Sequence, residues 1–391
     1  MKEYIVTKPV LNIRNSASVA NDANFIGQVS QGEILYLDPQ TVTGDIPKGG
    51  KSDQWHPDLF NRVVASEGVA LYDFNQKVKL FVADDTFKNL HQGTPIYQNW
   101  HVNWGFADQE IWKFWKDFGT RGKGVKVAVI DMGVNHSAND LQGRISAKSV
   151  STIGPDPANF SDISPNRHGT KSAGLIGASG ASAVFGIAPD CELIVIKAGD
   201  AGFNAGDILP AMNEAIALGA QIISMSIEYY RPLQALGAID ALLAKHVDNP
   251  ILFVAAAGDN GDPSISYPAS FNGCFSVGSY GLTAANARIV DINNNVNSKL
   301  KFLCPGVNIL SCSDNGSARY NMSSAATAFA SGVMALISSA LNRVPTYNQV
   351  LAALKTGQCT QQIAALTPFS DTEGYGVLSP YQLLKILKTI A

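Results

Sequence analysis

The sequence predicts an α/β domain with a mostly parallel central sheet, preceded by a small all-β module. Three observations predict it. From Trp104 onward, short apolar runs alternate with stretches whose apolar residues recur at three- and four-residue spacing, the alternation that builds a parallel sheet covered by helices. The strand-like runs, such as VKVAVI at 125–130, are almost continuously apolar, as burial on both faces requires. Residues 1–66 read instead as short strands broken by turns.

Taken in order, strand-like runs fall at 10–14, 25–29 and 32–37, and Trp55 and the run 62–64 can supply a closing strand. The stretch DIPKGGKS at 45–52 falls short of a phosphate-binding loop, because Asp45 stands where that loop needs glycine and no strand runs into it. Residues 67–101 have no long periodic helix and are taken as a linker. A second domain follows over 102–391, with strands expected at 125–130, 193–197, 222–225 and 251–255. Helices are expected at 207–217 and 232–246.

Composition narrows the function classes. The chain has 391 residues, of which 46% are apolar and only 16% charged, with 35 glycines, which suits a folded enzyme and not a disordered chain. The net charge is −3 and the basic residues are scattered, so neither nucleic acid nor a membrane surface is an expected partner. Five cysteines without metal-ligand spacing are expected as buried free thiols, with no metal and no cofactor. The first residues lack the apolar core of a signal peptide, and no run reaches the ~18 apolar residues of a membrane span. A cytoplasmic location is the default expectation, or secretion if a signal peptide has been removed.

Three segments carry the chemistry. In VAVIDMGVNHSANDL, Asp131 ends a buried strand at the carboxyl edge of the sheet, where open α/β sheets present ligands. In RHGTKSAGLIGA, His168 opens a helix of small residues and can act as a base if a carboxylate fixes its tautomer. In NMSSAATAFASGVMALI, Ser324 stands at a helix entry, where its hydroxyl can meet a histidine. Singly, each reads equally as a turn residue or a helix cap. Together they follow the order Asp…His…Ser, and no GxSxG elbow is present.

These segments resemble the subtilisin-like serine proteases: VAVIDSGI…HPDL around Asp131, HGTxxAG around His168 and GTSMASPHVAG around Ser324. Further segments resemble the family in the right order, namely GIAPDCELIVIKA, AQIISMSIE, YPASFNGCFSVGSY, LCPGVNIL and GYGVLSPYQLL. The resemblance implies a subtilisin-like three-layer fold over 102–391 and a serine endopeptidase that cuts extended protein or peptide segments through an acyl-enzyme. It implies that Ser226, Ile227 and Glu228 pair with the substrate backbone, while Ala256, Ala257 and Gly258 form the opposite wall of the primary pocket. Residues 1–66 resemble the bacterial SH3-like domain, a small β-barrel, which implies a peptidoglycan or protein ligand.

Departures from the family pattern qualify this. Glu228 replaces a usual glycine, and either narrows the rim, favours basic side chains or faces solvent. Met322 replaces the glycine that leads the serine motif. Asp140 matches a frequent calcium ligand, but the companion loop is shortened to Ser182-Ala183-Val184, which speaks against that site. Asp259 stands where most relatives carry the asparagine that donates to the oxyanion; it can donate only when protonated, which implies a pH profile shifted toward acid, or it turns away. The alternative reading is a weak or inactive subtilase acting as a peptide-binding or partner-activated module.

Overall fold

Strands that are apolar on both faces must be covered on both faces, and this dictates a sheet sandwiched between helices. In the computed structural model of the protein the apolar runs pair into a ten-stranded sheet. The described residues are 103–391, apart from 181–183, 231–235, 284–286, 315, 365–366 and 391, together with the backbone of eight short strands between Lys2 and Leu71. The chain divides into two units, the first running from Met1 to Asp117 and the second beginning at Phe118.

In the first unit, Lys2–Val6, Ile34–Leu37 and Val69–Leu71 pair into a three-stranded antiparallel sheet, and five further short strands form a second sheet. The residues between these strands, and with them the expected SH3-like barrel and its ligand, lie outside the described residues. So does the expected linker over 67–101, apart from the strand Val69–Leu71. Two helices follow, Trp104–Asp108 and Ile111–Phe118, which bury Trp104, Phe106, Ile111, Phe114 and Trp115.

The second unit is built on β1 (Lys126–Asp131), β2 (Val150–Ser151), β3 (Glu192–Lys197), β4 (Ile222–Met225), β5 (Leu252–Ala256), β6 (Cys274–Leu282), β7 (Arg288–Val290), β8 (Phe302–Pro305), β11 (Thr360–Gln361) and β12 (Val377–Leu378). Two strands outside that sheet, β9 (Ile309–Ser313) and β10 (Gly316–Tyr320), form a separate hairpin. The sheet order is β2-β3-β1-β4-β5-β6-β8-β12-β11, parallel through β12, with β11 and β7 antiparallel to their neighbours. The four strands expected from apolar runs are present, each within one residue of its expected bounds. Helix 207–217 begins slightly earlier, as Ala205–Ala217, and Leu236–Lys245 lies within the expected 232–246.

Strand β1 has β3 on one side and β4 on the other, so the connections leaving β1 and β4 run in opposite directions. A crevice therefore opens at the carboxyl ends of these strands. Helix α1 (His168–Gly177) and helix α4 (Met322–Leu341) converge on it; between them in sequence lie α2 (Ala205–Ala217) and α3 (Leu236–Lys245). By length and composition α4 could cross a membrane, but it is mostly buried and packs on β4, β5, β6, β8 and α1 as the central helix of the unit. Its small residues allow that approach. At the start of α1 the fit is tighter still, since a Cβ on Gly169 would stand 2.0 Å from the carbonyl oxygen of Gly133 and 3.2 Å from the Asp131 side chain. Gly169→Ala must push α1 away from β1; we expect a loss of about 1–3 kcal/mol in chemical denaturation.

Candidate active site

Asp131 is fully buried at the end of β1, and a buried charge survives only if its lone pairs are filled. Three donors fill them. The Met132 N–H and His168 Nδ1 lie 2.7 Å from Oδ1, and the Ser172 hydroxyl donates to Oδ2 at 2.8 Å. His168 and Ser172 stand four residues apart on α1, hence on one helix face, and both point at the carboxylate. Since a carboxylate only accepts, Nδ1 carries a proton, and Nε2 is left as the acceptor for the Ser324 hydroxyl at 3.2 Å. Ser324 lies in the first turn of α4, and its carbonyl accepts from Ser226 Oγ at 2.9 Å, which ties the helix start to the segment after β4.

Burial would lower the His168 pKa, but the charge and hydrogen bond of Asp131 outweigh it and hold the imidazole above its usual value. Tyr320, on β10, was not foreseen from the sequence. Its ring packs edge-on against His168 with centroids 5.5 Å apart, and its hydroxyl lies 2.7 Å from Ser172 Oγ and 3.3 Å from His168 Nε2. The proton count assigns the roles. The Ser172 proton goes to Asp131, so the Tyr320 proton goes to Ser172 and the Tyr320 oxygen faces Nε2 with only lone pairs. It can accept from Nε2 once the histidine is protonated, which favours the imidazolium. Burial raises the Tyr320 pKa well above its ordinary range, so the phenol stays neutral. Its position four residues before Ser324 was the only signal in the sequence.

The remaining expected residues sit on two segments that leave adjacent strands. Ser226 and Ile227, after β4, are buried, as are Ala256 and Ala257, at and after the end of β5. Tyr229 and Tyr267 exchange backbone hydrogen bonds of 3.0 and 2.8 Å behind the first segment. Gly258 has φ +112°, and a Cβ there would stand 2.2 Å from Asn295 Nδ2, so only glycine fits. Asn295 then fixes the loop, donating its N–H to Gly258 O and accepting the N–H groups of Asn260 and Asp262 at 2.9 and 3.1 Å.

That loop delivers Asp259, whose Oδ1 accepts the N–H of Ser323 at 2.8 Å, one residue before the candidate nucleophile. Asp259 therefore faces the start of α4. Its pKa is pushed up to about 8, by burial first and then by the hydrogen bond and charge of Glu228. Glu228 itself turns toward Ser323, whose hydroxyl donates to Oε1 at 3.3 Å. Asp140, the residue matching a calcium ligand, accepts the N–H of Val184 on Oδ2 at 2.9 Å, so one of its oxygens is already engaged by the shortened loop.

Tyr320→Phe removes the acceptor for Nε2–H and the donor to the Ser172 oxygen, while Ser172 keeps its bond to Asp131. We expect kcat to fall about tenfold, in line with one hydrogen bond to a charged group, and the acid limb of the rate profile to move to lower pH because the imidazolium loses a partner. An unchanged acid limb would remove Tyr320 from this role.

Comparisons with known proteins place the chain in a family. Residues 122–376 match the model of the Subtilase family. The chain is 32% identical over 231 residues to the "Major intracellular serine protease" of Bacillus subtilis (strain 168), covering 56% of this chain and 70% of that protein. It is 34% identical over 234 residues to the "Intracellular serine protease" of Paenibacillus polymyxa, covering 57% and 69%. Fervidolysin from Fervidobacterium pennivorans, described as a keratinolytic enzyme related to subtilisin, shares the fold with a TM-score of 0.62 at 20% identity, over 73% of this chain and 46% of that one.

Proposed function

The chain belongs to the subtilase family and is a serine endopeptidase, and on that premise we propose that Ser324 is its nucleophile, His168 its general base and Asp131 the carboxylate that orients the base. The observation that carries this reading is the unbroken hydrogen-bonded line from Asp131 through His168 to Ser324. An extended segment of a protein or peptide lies along Ser226, Ile227 and Glu228 by backbone pairing, with its side chain between that segment and Ala256, Ala257 and Gly258. Ser324 Oγ attacks the carbonyl carbon while its proton passes to Nε2. The imidazolium is held by Asp131 on one side and the Tyr320 oxygen on the other, and returns the proton to the leaving amine. Water then releases the acyl group by the same route.

The tetrahedral oxyanion forms beside the start of α4, where Asp259 takes the place of an amide donor. With a pKa near 8, Asp259 is protonated at neutral pH and donates there. The rate then depends on two opposed titrations: it rises as His168 loses its proton, above the usual imidazole value, and falls as Asp259 loses its own near pH 8. The N-terminal unit is read as a binding module for peptidoglycan or a protein partner. Removing residues 1–66 is expected to leave peptide hydrolysis intact and abolish such binding, which a peptidoglycan sedimentation assay on both chains measures.

Two measurements test the catalytic assignment. A fluorophosphonate probe should label Ser324 and fail on Ser324→Ala, while His168→Ala should lower turnover by roughly 10⁴–10⁶; persistent labelling at another serine sinks it. Asp259→Asn should match the unmodified enzyme near pH 7 and exceed it increasingly above pH 8, where the carboxyl ionises and the amide does not. Equal decline of both proteins above that pH removes Asp259 from the oxyanion site.

A further inference from the structure

The two walls of the cleft each contribute a carboxyl group, Glu228 from the segment after β4 and Asp259 from the loop after β5, and the two are held by the same partners. Ser323 holds both, with its N–H on Asp259 Oδ1 at 2.8 Å and its hydroxyl on Glu228 Oε1 at 3.3 Å. Tyr230 closes the ring, donating its hydroxyl to Glu228 Oε2 and accepting the Asp259 N–H at 3.5 Å. Ionised carboxylates have acceptors only. Two carboxyl groups gathered on the same partners repel one another if both ionise, which favours one proton between them.

Ser323 and Tyr230 already supply donors to both Glu228 oxygens, and the Ser323 amide fills Oδ1 of Asp259. That leaves Asp259 Oδ2 as the oxygen able to carry a proton. We propose that Glu228 is a positioning residue whose carboxylate keeps Asp259 protonated beside the nucleophile, so that the two side chains work as a one-proton dyad. The proposal rests on the reading of Asp259 as an oxyanion donor and explains how a carboxyl group can serve in that place. Glu228 touches no reacting atom. It acts by making ionisation of Asp259 costly, because a second negative charge would then face its own. When the substrate oxygen becomes an anion, the Asp259 O–H turns from Glu228 to that oxygen, and it turns back as the intermediate collapses; the proton stays on Asp259 throughout.

No other group in the ring supplies the effect. The Tyr230 phenol is itself pushed above its ordinary range, by burial first and then by Glu228, and remains protonated. Ser323, from α4, contributes an amide and a hydroxyl, and these favour the ionised form of Asp259. Asp262, on the same loop as Asp259, is exposed and directs its N–H to Asn295. Arg231 lies outside the described residues.

The test is kcat/KM on one peptide across a pH range spanning the imidazole and the raised carboxyl, for the unmodified enzyme, Glu228→Gln, Asp259→Asn and the double variant. The unmodified enzyme should decline near pH 8. Glu228→Gln should move that decline down by about one to three pH units. Asp259→Asn should abolish it, and adding Glu228→Gln to Asp259→Asn should leave the profile where it was. A decline that Asp259→Asn abolishes but Glu228→Gln does not move would reduce Glu228 to a structural role. A decline that Asp259→Asn leaves in place would overturn the reading of Asp259 itself, so the two failures are distinct. If Glu228→Gln does not fold, Glu228→Gly replaces it with the same expectation. Carbon-13 titration of the aspartate carboxyls in the unmodified protein gives an independent reading: a carboxyl titrating near 8 that Asp259→Asn removes supports the dyad, and none titrating above the ordinary range overturns it.

Discussion

The charge of Asp131 is the constraint around which the site is arranged. It is completely buried at the edge of the sheet, and an ionised carboxylate in that position is tolerable only with its oxygens saturated by donors. Its own strand end contributes one donor, from Met132, and α1 contributes two, from His168 and Ser172. Saturating the charge thus requires α1 to sit against β1 with a side-chain-free residue at the contact, which Gly169 provides. The same contacts fix the tautomer of His168 and aim Nε2 at Ser324. What makes the buried charge acceptable is also what prepares the base.

A second, opposite solution operates across the cleft. Around Asp131 the protein surrounds one carboxylate with donors; around Asp259 it places a second carboxyl, Glu228, on shared partners, and the proposed dyad keeps one of the two neutral. Two similar side chains are thereby given contrasting surroundings. The neighbours differ: an imidazole, an amide and a hydroxyl in one case, an amide and a nearby glutamate in the other, where burial adds the larger push. An asparagine donates regardless of pH, whereas an aspartate donates only while protonated. On the proposed reading, an aspartate at the oxyanion position ties turnover to a titration, whose place is set by burial together with Glu228.

Much of this was legible in the sequence, and the limits have physical causes. Asp131, His168 and Ser324 each stand in a local context that fixes backbone geometry, a buried strand end or a helix start, so their surroundings could be read from adjacent residues. The strands of the central sheet were readable because burial on both faces leaves a continuous apolar run. Ser172 was readable in principle from its four-residue spacing to His168 on a helix. Tyr320 was not, because its contact with His168 depends on how the β9–β10 hairpin packs on α1, a relation that no local spacing encodes. Glu228 and Asp259 were each singled out, but as separate departures, one at a pocket rim and one at an anion site. That they face one another follows from β4 and β5 being adjacent and parallel, so that the segments leaving both strands emerge side by side.

The start of α4 shows what holding these groups together demands. Met322 adopts φ +71°, a left-handed conformation unfavourable to a side chain, at the place where the motif that this segment resembles has glycine. The strain is retained because the residues on either side are fixed independently. Before it, Asn321 Oδ1 accepts the Asn308 N–H at 2.6 Å; after it, Ser323 gives its N–H to Asp259 and its hydroxyl to Glu228, and Ser324 meets His168. Relaxing φ at Met322 would rotate Ser323 away from both carboxyls and Ser324 away from the base. The hydrogen bonds on the two following residues together outweigh the ~1–3 kcal/mol that a left-handed non-glycine residue costs. A strained backbone at this point is therefore a consequence of the dyad and the base being addressed by consecutive residues of one helix turn.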